Sequence, residues 1–229
     1  MKYKLITLLV CIVFSCALDH SAYAHGVDDA TKTFLLANEG VAFMPFLYIG
    51  AKHMLTGYDH LLFLVGVIFF LYRPKEVLIY VSFFTLGHSL TLMFGVLLNI
   101  GVNAYLIDAI IALSIVYKGF DNLGGFKRIF NFQPDTKAAV LIFGLFHGFG
   151  LATKLQDFKL GQKGLFQNLI GFNLGVEIGQ FIALAIVLIL FSVWRHSKSF
   201  TQFSTLTNTL LMAAGFVLLG FQLTGYFIS

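Results

Sequence analysis

His53-Met54-Leu55-Thr56-Gly57-Tyr58-Asp59-His60 stands at the mouth of a run that is otherwise apolar enough to cross a bilayer. Ionisable side chains in hydrocarbon cost roughly 2.5–3.5 kcal/mol each on insertion scales, so a chain that keeps two imidazoles and a carboxylate there is expected to use them. His88, His147 and Glu177 repeat the pattern in three later apolar runs. Composition agrees. Hydrophobic residues make up 58% of the 229 positions and charged residues 11%, against about 25% charged in soluble domains, and mean hydropathy is +0.86. The chain therefore reads as an all-α integral membrane protein. Its net charge of +4 does not point to nucleic acid, because Lys and Arg are scattered among short loops and form no stripe.

Working outward from that stretch, residues 1–24 have the form of a cleavable signal peptide. Lys2 and Lys4 precede an apolar run from Leu5 to Leu18, and Ala22-Tyr23-Ala24 gives a small-x-small cleavage site. Both cysteines, Cys11 and Cys16, fall inside it, so residues 25–229 would carry no thiol and any metal site there must use imidazole, carboxylate, amide or carbonyl ligands. Six apolar segments follow, at 45–72, 77–99, 104–122, 136–154, 165–194 and 205–228, each near the roughly 20 residues a spanning helix needs. Pro74, Asn99-Ile100-Gly101 and the stretch from Gly124-Gly125 to Pro134 mark turns between them. Lys and Arg are modestly enriched in the loops that would lie inside, which places both ends of the mature chain outside.

The two halves, 45–122 and 136–228, share short matches. Gly57-Tyr58-Asp59-His60 pairs with Gly144-Leu145-Phe146-His147, and Phe84-Thr85-Leu86-Gly87 with Phe172-Asn173-Leu174-Gly175. Gly119-Phe120 through Gly124 echoes Gly220-Phe221 through Gly225 at a different offset. With three helices per unit the second unit would run the opposite way, an inverted repeat of the transporter kind with a site near the midplane. Matches this short also arise by chance in helices rich in Gly and Phe.

Helix geometry constrains the first motif. His53 and His60 are seven residues apart, so on an ideal helix they face one way but stand roughly 10 Å apart along the axis. Either the helix breaks near Gly57, or only His60 reaches a central site and His53 serves as an outer relay. Asp59 could bind an ion, or hold the tautomer of an imidazole on another helix. Asn173, Glu177 and Gln180 form a polar stripe at i, i+4 and i+7 that must turn inward. The bland readings stand beside these: a lone His88 can simply bond a neighbouring helix, and His147 can be a packed residue in a close crossing. Asp108 is expected among headgroups at the membrane boundary, and Asp121 and Asn122 as caps or pairs near the inner surface. His25 would become the new N-terminus, offering an amine and an imidazole as an outer capture site for a transition metal, or ending in a solvated tail.

Several motifs in order carry a resemblance over essentially all of residues 25–229. They are Gly-x-Asp-His with a histidine six before the aspartate, Phe-Thr-Leu-Gly-His-Ser from Phe84, Phe-His-Gly-Phe-Gly from Phe146, and Phe-Asn-Leu-Gly-Val-Glu-Ile-Gly-Gln from Phe172. Together they resemble the HupE/UreJ family, its second branch most closely. The resemblance implies a bacterial inner-membrane protein associated with supply of nickel, or sometimes cobalt, to hydrogenase and urease. It makes His53, Asp59 and His60 the metal-motif residues, accompanied by His88, His147 and Glu177. One position departs, since the other branch has proline directly after the first histidine and Met54 stands here.

Imidazole and carboxylate suit nickel, cobalt, zinc or copper(II) alike, so the donor set does not choose the ion. A Walker-type phosphate loop is absent from the sequence, so transport would be passive, proton-coupled through Glu177 or a histidine, or driven by an accessory membrane partner. The leading expectation is a permease for a divalent transition metal. Two other readings use the same residues: a non-transporting accessory protein that binds metal or a partner, and an intramembrane zinc hydrolase in which three histidines and a carboxylate activate water.

Overall fold

The computed structural model describes residues 29–38, 40–157 and 163–228, and every regular element among them is a helix. In chain order these are α1 (Asp29–Ala37), α2 (Phe43–Thr56), α3 (Tyr58–Ile68), α4 (Pro74–Leu97), α5 (Ala104–Asn122), α6 (Gly125–Phe130), α7 (Thr136–Asp157), α8 (Leu165–Arg195) and α9 (Lys198–Ile228). The expected signal segment 1–24 and His25 lie outside the described residues.

Local chemistry sets the helix ends. Pro74 starts α4 where its missing N–H costs nothing. Leu98 and Asn99 end it in a Schellman turn: Asn99 takes φ 50°, a left-handed conformation that asparagine tolerates, and Ile100 N donates to Gly95 O at 2.9 Å. Asn103 caps α5 by accepting from Leu106 N at 3.2 Å. The first expected segment is not one helix. Gly57 takes φ −73°, ψ 104°, and this single extended residue divides it into α2 and α3.

Two ends of the bundle can be told apart by the contacts made there. At the proximal end, where α2 begins, Ala42 N donates to Asn168 Oδ1, and Gln156 from the end of α7 donates to Gly95 O at the end of α4. At the distal end Arg195 donates from the end of α8 to Ile68 O and Phe69 O, and Asn122 donates to Gly66 O. The main helix pairs are α2 with α8, α4 with α7, and α5 with α9. Each crossing is built on glycine. A Cβ at Gly50 would overlap Phe172 O and one at Gly175 would overlap Leu47 O; Gly144 lies likewise against Phe84 O, and Gly87 against Leu141 O. Between α5 and α9, Gly119 faces Asn208 O and Gly215 faces Ala112 O. Lipid supplies no hydrophobic drive between helices, so backbones brought this close by small residues hold the pairs through dispersion.

The outward faces are apolar, with Phe94, Phe181, Ile186, Ile189, Val193, Val217 and Phe221 among the exposed side chains, the surface a hydrocarbon solvent accepts and water does not. Among the described residues four helices are long and apolar enough to cross a membrane: those at Pro74–Leu97, Thr136–Gln156, Leu165–Arg195 and Lys198–Ile228. The other two expected segments fall short for physical reasons. The first is interrupted at Gly57, and the third, α5, carries Asp108, Lys118 and Asp121. Two apolar clusters divide the interior. A proximal one contains Phe46, Leu92, Leu169 and Phe172, and a distal one contains Phe63, Val81, Val140 and Phe191.

Candidate metal centre

The break at Gly57 assembles the centre. It interrupts the helix between His53 and His60, whose rings meet with centroids 5.0 Å apart, about half the axial separation of the two positions on an unbroken helix. The backbone angles at Gly57 are ones any residue adopts, so glycine is needed for room rather than for φ. A Cβ would stand 2.9 Å from His60 Nδ1, 3.1 Å from His53 O and 3.2 Å from Asp59 Oδ1.

Around His60 the chain places three more imidazoles and one carboxylate. His60 is 1% exposed, and its ring centroid lies 5.8 Å from that of His88 and 4.9 Å from that of His147. Asp59 Oδ1 lies 3.1 Å from His60 Nδ1. A carboxylate accepts, so Nδ1 carries the proton and Nε2 keeps its lone pair for a cation. Asp59 thus orients the imidazole next to it in the chain. His147 is set by the same logic: its Nδ1 donates to Phe143 O at 2.7 Å, which leaves Nε2 in the ligating tautomer. Phe84 packs edge-on to both His60 and His147 and excludes water from one side.

Among the described residues, His53, His60 and His88 offer ligand atoms that all lie within 4.8 Å of one another. Two nitrogens on one ion can be no more than about 4.2 Å apart, twice a metal–nitrogen bond. The trio therefore needs only a small inward shift to share a cation. Asp59 and His147 join this group through His60, and Glu177 is not part of it. Glu177 is half-buried on α8. Of its stripe, Gln180 turns fully inward, accepting from Thr85 Oγ1 at 3.0 Å. Asn173 is half-buried and donates to Leu169 O, while its buried Oδ1 has no hydrogen-bond partner among the described residues.

Two buried ion pairs stand apart from the histidines, and the one at Asp121 was expected from the sequence. Asp108, expected among headgroups, is 6% exposed and bonds Lys154 Nζ on α7 at 2.7 Å. Lys118 and Asp121, three apart on α5, pair at the distal end. The second had an i, i+3 signal; the first, between positions 46 residues apart, had none. A small void of about 10 Å³, room for about one water, lies beside His60 among Phe84, Val81, Tyr80, Val140 and Gln180.

Curated proteins and solved structures, when searched, return no match to this chain. A family model described as HupE / UreJ protein matches residues 29–229. That span includes the broken helix, all four clustered histidines and Glu177, in the order the resemblance anticipated. The chain belongs to the HupE/UreJ family.

Proposed function

We propose that this protein is a permease for a divalent transition-metal ion, nickel or cobalt, crossing the bacterial inner membrane in six passages. Residues 1–24 act as its signal peptide. The observation that carries this reading is the convergence of His53, His60 and His88 within 4.8 Å of one another in a lipid-embedded interior, with Asp59 and His147 on the same imidazole. The trio is slightly wider than a closed coordination shell, which suits an ion that is held and then released. Glu177, Asn173 and Gln180 would supply polar groups along the route, and His25 an outer capture site. Arg73, Lys75, Lys127, Arg128 and Lys198 all lie in the loops and helix starts at the distal end, which favours that end as the cytoplasmic one. A non-transporting accessory protein would use the same histidines for retention, with or without a membrane partner.

His60→Ala and Asp59→Ala test the reading in cells and in proteoliposomes. Both are expected to abolish uptake of radiolabelled nickel and cobalt while leaving membrane insertion intact. Unchanged uptake in both variants removes the permease. Elemental analysis of the purified wild-type protein after exposure to mixed nickel, cobalt, zinc and copper separates the alternatives. Exchangeable nickel or cobalt with uptake supports transport, retention without uptake supports the accessory role, and tightly held stoichiometric zinc supports a hydrolase.

A further inference from the structure

The segment between α5 and α7 is pinned to the bundle on one side and bare on the other. Gly124 at φ 71° and Asn131 at φ 52° turn the chain at the two ends of α6. The turn at Gly124 lays α6 against the end of α5, where Phe126 packs on Phe120 with ring centroids 4.8 Å apart and on Tyr117 at 4.9 Å. Beyond α6, Gln133 donates to Asp121 Oδ1 at 2.7 Å and ties the loop to the same helix. The segment is thereby held at the level of the last turns of α5, at the distal end.

Its bare side has two characters. On a helical turn Phe126, Ile129 and Phe130 fall within an arc of about 100°, and Lys127 and Arg128 take the rest. Ile129 is 66% exposed, Phe130 64% and Phe132 61%, three large apolar side chains within four residues that find little cover on this chain. Lys127 and Arg128 are exposed beside them, as is Lys137 in the first turn of α7. The acids nearest in sequence are engaged elsewhere, Asp121 with Lys118 and Asp135 with Ala138 N at 2.8 Å. Among the described residues none of these three cations has an ion-pair partner.

We infer that α6 and the turn after it form an interfacial anchor for anionic phospholipid. Ile129, Phe130 and Phe132 enter the acyl boundary of the bilayer at the distal end, while Lys127, Arg128 and Lys137 hold the negative headgroups. An amphipathic segment lying in the membrane plane buries its apolar edge there and keeps its cations at headgroup level. Water would leave the three apolar side chains exposed, and a zwitterionic headgroup would leave the cations without counter-charge; an anionic lipid satisfies both. Each Lys or Arg beside an anionic surface adds about fivefold in binding, and salt screens that gain over about 10 Å at 0.1 M. The anchor uses none of the histidines, so it holds whichever way the metal centre is read.

The test uses the full chain with Cys11→Ser and Cys16→Ser, carrying Phe130→Cys or Phe132→Cys labelled with a bimane, in vesicles of phosphatidylcholine and phosphatidylglycerol. A nitroxide high on the acyl chain of either lipid quenches a label in the bilayer, and iodide quenches one in water. Both labels are expected to respond to the nitroxide and to be shielded from iodide. At equal mole fraction, nitroxide phosphatidylglycerol is expected to be about fivefold or more enriched at the label over nitroxide phosphatidylcholine. Lys127→Gln with Arg128→Gln should lose most of that preference, as should about 0.5 M salt on the unaltered cations. Labels quenched by iodide as fully as free bimane, and by neither lipid, overturn the inference and leave the surface to a soluble partner. Lipid quenching with no preference between headgroups also overturns it, as does energy transfer between copies that persists on dilution with lipid. The unsubstituted chain gives a reading free of any folding defect: its melting temperature should rise as phosphatidylglycerol replaces phosphatidylcholine, and no rise counts against the anchor.

Discussion

The broken pair α2–α3 and the unbroken α7 carry the same seven-residue spacing and use it differently. In α7, His147 and Lys154 lie on one unbroken helix, where an ideal rise separates them by about 10 Å, and Lys154 turns to Asp108 on α5. In α2–α3 the same interval, His53 to His60, is interrupted at Gly57, and the rings are 5.0 Å apart. A continuous helix distributes its polar groups along its axis; a broken one gathers them at a single depth. The centre therefore owes its geometry to one extended residue, and α7 supplies the wall that carries His147.

Three substitutions sharpen that contrast. Lys154→Met is expected to have the largest effect, because it leaves the Asp108 carboxylate, with a side chain 7% exposed, buried without its lysine. Removing one partner of a buried pair costs about 3–5 kcal/mol, read as a lower melting temperature in detergent. Gly144→Ala, which sets a Cβ against the Phe84 backbone, should cost about 2 kcal/mol of stability by overpacking and spare metal affinity in whatever protein folds. Gly57→Ala should do the reverse. Its Cβ meets His60 Nδ1 and Asp59 Oδ1 of the centre itself, besides His53 O, so nickel affinity by calorimetry is expected to fall about tenfold, or about 1.4 kcal/mol, with a smaller change in melting than Gly144→Ala gives. Equal behaviour of the two glycine variants would erase the distinction between wall and hinge.

Much of this was legible in the sequence because it rests on local chemistry. Pro74 and Asn99 announce helix ends, and histidines in apolar runs announce an interior that binds something. The depth of Asp108 was not legible, since its partner lies 46 residues away and a single acid near a helix start reads as solvated. Glu177 shows the same limit: periodicity gave its face, not its distance from the histidines.

Breaking a helix also creates two new termini inside the bundle. His53 lies in the last turn of α2, and a helix C-terminus carries about half an elementary negative charge. The amino end of α3 carries about the same charge with the opposite sign, so the two facing ends largely cancel. A cation among the imidazoles thus meets a net attractive field that comes mainly from the Asp59 carboxylate in the first turn of α3.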